Sequence, residues 1–159
     1  MSAAPRTGGC QCGAVRFSVS GALGRASICH CRMCQKAFGG LYGPLVSVKI
    51  ADLAWTRGEP KRFQSSNKVR RGFCQACGTP LTFEWHEKII DLAIGAFDDP
   101  APIRPVVQMA AESAVPWVGE IAGLPLKKAE EETQMQAYYA SIVSRQHPDH
   151  DTEAWPPQA

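Results

Sequence analysis

Apolar and polar residues alternate from Ala14 to Ser20, placing Val15, Phe17 and Val19 on one side, the period of a half-buried strand. Leu45–Ile50, Lys61–Gln64, Leu81–Trp85, Ile89–Ile94 and Val106–Ala110 are further strand segments. Turn residues separate them at Ser20-Gly21, Arg57-Gly58-Glu59-Pro60, Asp98-Asp99-Pro100 and Pro102. Ser65-Ser66-Asn67 has turn composition and predicts a hairpin between the Lys61 strand and one starting at Val69. Many short strands with little helix predict a mostly β protein built from antiparallel sheets. After Lys127 the period changes. Met135, Tyr138, Tyr139, Ile142 and Val143 recur at i, i+3, i+4, i+7 and i+8, one face of an amphipathic C-terminal helix over 127–146. Glu130, Glu131 and Glu132 in its first half and Arg145 near its end suit the helix dipole, and Pro148 stops it. Its apolar stripe is expected to pack on the domain, with a homodimer seam as the alternative. Residues 147–159 are polar, hold three prolines and read as a flexible tail. The expected organisation is one domain over 1–126, a helix over 127–146 and the tail.

The chain has 159 residues, 45% hydrophobic and 20% charged, enough for one soluble domain with a real core rather than a disordered chain. A net charge of +2 is too balanced for a general nucleic-acid or membrane binder, so neither partner is expected. No apolar run approaches the length of a membrane span, and the first nine residues carry no apolar signal region. The expected location is therefore cytoplasmic, a reducing compartment in which cysteines serve metals or catalysis more often than disulfides.

Cysteine changes the picture most. The count is seven, which cannot be fully paired into internal disulfides. All seven fall in three clusters: Cys10-Gln11-Cys12-Gly13, Cys29-His30-Cys31-Arg32-Met33-Cys34 and Cys74-Gln75-Ala76-Cys77-Gly78. Cys-x-x-Cys-Gly is a zinc-knuckle spacing, in which two thiolates reach one ion and glycine accepts the tight turn. Seven thiols divide naturally as four plus three. Cys10, Cys12, Cys74 and Cys77 would complete a structural zinc, leaving Cys29, Cys31 and Cys34 as a three-thiolate site with an open fourth position. Such a site is soft, better suited to an incoming thiolate than to generating hydroxide. Other readings stay open here. Cys74 and Cys77 could be a redox dithiol, although no βαβ pattern surrounds them, and the middle three thiols could be free and prone to oxidation. His30, between two candidate ligands, is expected to turn its ring away from them.

In this order, Gly9-Cys10-Gln11-Cys12-Gly13-Ala14-Val15, Cys29-His30-Cys31-x-x-Cys34 and Phe73-Cys74-x-x-Cys77-Gly78-Thr79-Pro80-Leu81 resemble the glutathione-dependent formaldehyde-activating enzyme family, which includes centromere protein V. The likeness runs from about Thr7 to Leu124 and includes Val115-Pro116-Trp117. It implies a β-tent fold stapled by zinc at Cys10, Cys12, Cys74 and Cys77, and a catalytic-type zinc held by Cys29, Cys31 and Cys34. It also implies carbon–sulfur lyase chemistry on a thiol adduct such as a glutathione–aldehyde conjugate, with glutathione as small-molecule partner. A non-catalytic zinc-stapled scaffold is the rival.

An anionic thiol substrate calls for cations near the open site. Arg32, Lys36, Lys68, Arg70 and Arg71 are the candidates, against their ordinary role as solvated charges. His30, Glu84, His86 and Glu112 are candidate acid–base groups that the sequence does not rank. The two charged groups Glu84 and His86 would share one strand face.

Overall fold

The computed structural model describes residues 4–155. Among the described residues ten strands form two sheets. A three-stranded antiparallel sheet has the order β1 (Arg6–Gly9), β2 (Arg16–Val19), β5 (Leu53–Arg57). The larger sheet runs β10 (Val107–Met109), β3 (Ala26–Cys29), β4 (Gly43–Lys49), β9 (Ile89–Ala93), β8 (Pro80–Glu84), β7 (Arg70–Phe73), β6 (Lys61–Gln64). The mostly β expectation holds, with one difference: β10 lies parallel to β3, so the large sheet is mixed. The Lys61 and Arg70 strands pair antiparallel across the expected Ser65–Val69 turn.

Hydrophobic alternation explains the core. Phe17 and Val19 of β2 face Val46 and Val48 of β4 and Leu92 of β9 in one cluster. Phe17 is fully buried, its ring edge-on to Trp55 at 6.0 Å and to Phe97 at 5.1 Å. Cys10 and Cys74 belong to the same cluster, so the first and third cysteine groups sit where the sheets meet.

Three expectations about the C-terminal region are corrected. The second helix, α2, spans Ala129–Ser141, short of the 127–146 expected, and Ile142 and Val143 lie beyond its end. Met135, Tyr138 and Tyr139 are exposed, so the stripe does not pack on the domain. From Gly119 to Gln146 every described side chain is exposed. Glutamates, glutamines and threonine crowd the short helix, leaving too few apolar positions for a burying face. The tail beyond it is not loose over 147–155: His147 is buried and Asp151 pairs with Arg16. Residues 156–159 of the expected tail lie outside the described residues. Among the described residues no helix is long and apolar enough to cross a membrane.

Candidate metal centres

The first and third cysteine clusters come together. The sulfurs of Cys10, Cys12, Cys74 and Cys77 all lie within 4.8 Å of one another. Cys10 to Cys12 is 3.6 Å and Cys12 to Cys74 is 3.8 Å. Four thiolates at a zinc–sulfur distance of about 2.3 Å stand about 3.8 Å apart at the corners of a tetrahedron. The donor set therefore fits zinc in both chemistry and spacing.

Each half of the set is a tight turn. Gly13 donates its N–H to the Cys10 carbonyl at 3.0 Å, and Gly78 donates to the Cys74 carbonyl at 2.8 Å. Both glycines have positive φ, +73° and +79°, which a side chain would strain. Val15 N–H donates to Cys10 Sγ at 3.2 Å. Thr79 Oγ1 accepts from Gln11 N–H at 3.0 Å and lies 3.1 Å from Cys77 Sγ, linking the two turns. Burial pushes the Cys10 thiol up to about 12 against the pull of the Val15 N–H. Burial acts on Cys77 in the same sense, but hydrogen bonds from Thr79 and the Cys12 backbone outweigh it and hold the thiol down to about 6. The site thus combines a thiol disposed to ionise, Cys77, with a buried one, Cys10, that resists it.

The middle cluster is separate and also converges: Cys29, Cys31 and Cys34 sulfurs lie within 4.8 Å of one another. Cys29 ends β3. Cys31 caps the first helix, α1 (Arg32–Phe38), its Sγ accepting from Cys34 N–H at 3.4 Å. A helix start and a strand end thereby aim three thiols at one point. Burial raises the Cys31 thiol, yet hydrogen bonds led by the Cys34 N–H bring it below its ordinary value. Cys34 is buried, and burial lifts it to about 12 against the pull of Arg71. These three donors also fit a soft divalent ion, and among the described residues no fourth histidine, cysteine or carboxylate joins them.

His30 turns away, as expected. It is buried, Nε2 donating to Gln108 Oε1 at 2.8 Å, with Tyr42 edge-on at 5.8 Å. Arg71 is the cation that reaches the cluster, donating from Nη2 to Cys34 Sγ at 3.3 Å. Arg70 leaves the opposite face of β7 and pairs with Glu84 at 2.9 Å. Glu84 also binds Arg62 at 2.7 Å and accepts from Thr82 Oγ1 at 2.9 Å, so its ion pairs occupy it. His86, Glu112, Lys68, Arg32 and Lys36 stand exposed. Gln35 was not singled out by its sequence context. Its buried amide donates to the carbonyls of His30 at 2.7 Å and Ser113 at 3.0 Å, bracing the cysteine loop.

This mixed β scaffold brings together a four-thiol set and a three-thiol set, each of which could hold a zinc ion. Residues 5–113 match the model of the glutathione-dependent formaldehyde-activating enzyme family. The chain belongs to that family. No curated protein matches it. The crystal structure of a Rhodobacter sphaeroides protein is similar in fold, with a TM-score of 0.53 and 21% identity, covering 65% of this chain and 99% of that one.

Proposed function

We propose that the protein is a zinc-dependent enzyme of the carbon–sulfur lyase type, acting on a thiol adduct such as a glutathione–aldehyde conjugate. The observation that carries this reading is the pair of clusters: four cysteines suffice for a staple, and three more converge where a staple needs none. Zinc, when bound at the three-cysteine cluster, supplies a soft Lewis-acid centre that favours thiolate over water. The chain's own part is positioning. Cys31 is held by the first turn of α1, Cys34 by burial beside Arg71, and Cys29 by the end of β3. Gln35 fixes the loop between them.

Glutathione as partner is supported by family membership, and a cytoplasmic setting by seven cysteines that all stand as free thiols. The exposed Tyr138, Tyr139 and Ile142 on and beside α2 are the surface for pairing two copies, which analytical ultracentrifugation reads directly.

The test is zinc stoichiometry by elemental analysis on wild type and Cys31→Ser, purified under reducing conditions. Two ions falling to one, with turnover of glutathione and formaldehyde lost in the variant, is the expected result. One ion in both, unchanged by added zinc, removes the physical basis of the enzyme reading.

A further inference from the structure

Two arginines of this protein are almost completely buried, and they are compensated differently. Arg16 is 3% exposed and faces two carboxylates, Asp98 and Asp151, each at 2.6 Å. Arg71 is 4% exposed, and among the described residues no carboxylate pairs with it. A buried guanidinium without a counter-charge is strongly disfavoured. Around Arg71 there are Ser65, whose Oγ accepts from Nε at 3.0 Å, the face of Phe83 at 4.7 Å from Cζ, and Cys34 Sγ. Serine is neutral and an aromatic face offsets only part of a buried charge. The remaining source of negative charge is the thiol cluster.

Resting on the metal-site reading above, we propose that Arg71 is the counter-cation of the three-cysteine cluster, a positioning residue that makes its open coordination position selective for anionic sulfur ligands. Three thiolates around a divalent ion carry a net charge of −1, and a thiolate in the fourth position raises this to −2. Arg71 offsets one unit in each state. Without it a second anion must approach an already anionic centre in a partly buried site, where screening by water is weak. A neutral donor adds no charge and is indifferent to the arginine. The side chain suits the role because guanidinium is planar and weakly hydrated, so it stacks on Phe83 and spreads its donors between Ser65 and Cys34. The incoming thiol binds as thiolate and releases its proton to solvent, so no other reactant is required.

The test reads ligand affinity rather than turnover. Wild type, Arg71→Lys, Arg71→Met and Ser65→Ala are loaded with cobalt(II), and folding is checked by circular dichroism. The cobalt absorption bands are then titrated with 2-mercaptoethanol and, separately, with imidazole. Arg71→Met is expected to bind the thiol about tenfold more weakly than wild type, with imidazole affinity changed less than about twofold. Arg71→Lys should fall between the two, and Ser65→Ala, which keeps the charge but frees one anchor, should lose about threefold. If Arg71→Met does not fold, the other two variants decide by the same comparison. Two cobalt ions bound, with thiol affinity indifferent to both Arg71 variants and to Ser65→Ala, overturns the role of Arg71 alone. Uptake of a single cobalt by wild type overturns the metal-site reading and this one with it.

Discussion

Arg16 and Asp151 stand 135 positions apart and share a two-point contact, Nε and Nη2 of the guanidinium reaching one carboxylate oxygen at 3.0 and 2.6 Å. The contact brings the C-terminal segment back across the beginning of the domain. Around it His147 donates its backbone N–H to the Gln11 carbonyl at 2.7 Å, between two staple cysteines. Its Nδ1–H donates to the Pro148 carbonyl, leaving Nε2 to accept from Thr152 Oγ1 at 3.0 Å. The segment is therefore a strap over the four-cysteine centre.

The two carboxylates on Arg16 are not equivalent. Asp98 is 11% exposed and binds through both oxygens, whereas Asp151 is 48% exposed. Asp98→Asn should cost about 3 kcal/mol because it strips charge from a buried pair. Asp151→Asn should cost less than about 1 kcal/mol. Thermal denaturation of the two variants gives the ranking, and equal losses would contradict this geometry.

Acid should weaken the protein in two stages. Burial lowers the His147 pKa, and Arg16 and Arg57 lower it further against the opposing charge of Asp98. The folded state thus prefers neutral histidine, so its stabilisation is full above about pH 6.5 and declines as pH falls towards the folded value. Burial raises the Asp98 pKa, but Arg16 and Thr7 outweigh it and bring it below the ordinary carboxylate value. That contribution is present above about pH 4 and is lost as pH falls through the depressed value. Protease cleavage within residues 142–155 should increase first, with global melting following at lower pH. Asp98→Asn should flatten the second stage and, by removing the charge that opposes the lowering of His147, deepen the first.

Gly13 and Gly78 share a left-handed backbone but not their surroundings. A Cβ on Gly13 would overlap the rings of His147 and Trp155, whereas nothing lies within 4 Å of one on Gly78. Gly78→Ala should lose only the backbone term, about 1 kcal/mol. Gly13→Ala should lose more and release the strap, seen as faster hydrogen exchange at residues 147–155 with the sheet amides still protected.

Serine at one cysteine of each cluster should separate the two centres. Cys74→Ser should unfold the domain or lower its melting temperature severely, since structural zinc contributes folding free energy directly. Cys31→Ser should leave a folded protein lacking one ion. Calorimetry with metal analysis checks both, and equal destabilisation would contradict the four-plus-three division.

What was legible beforehand follows from how local each signal is. Lys61–Gln64 is bracketed by turn residues on both sides, and β6 has those same ends. The cysteine clusters are dense along the chain, and their count alone suggested the division. β3 is four residues long and runs directly into the middle cluster, so no period could register. α1 is seven residues capped by a thiol rather than by the serine, threonine, asparagine or aspartate that usually marks a helix start. In β5, Leu53, Trp55 and Arg57 alternate with Ala54 and Thr56, a short period that runs straight into the Gly58-Glu59-Pro60 turn. The burial of Arg71 and the docking of His147 depend on partners far along the chain, Cys34 at 37 positions and Arg57 at 90. No local pattern announces such contacts.

The spacing of the two centres also sets a temporal order. Cys29, Cys31 and Cys34 leave the ribosome as a single short packet, with their helix cap between them. The other four thiols cannot assemble until Cys77 has emerged and a long loop has closed, at an entropic cost that grows with its length. A nascent chain therefore offers soft cations its incomplete clutch before its complete one. The segment that crosses the latter, anchored through Asp151, emerges after both clusters.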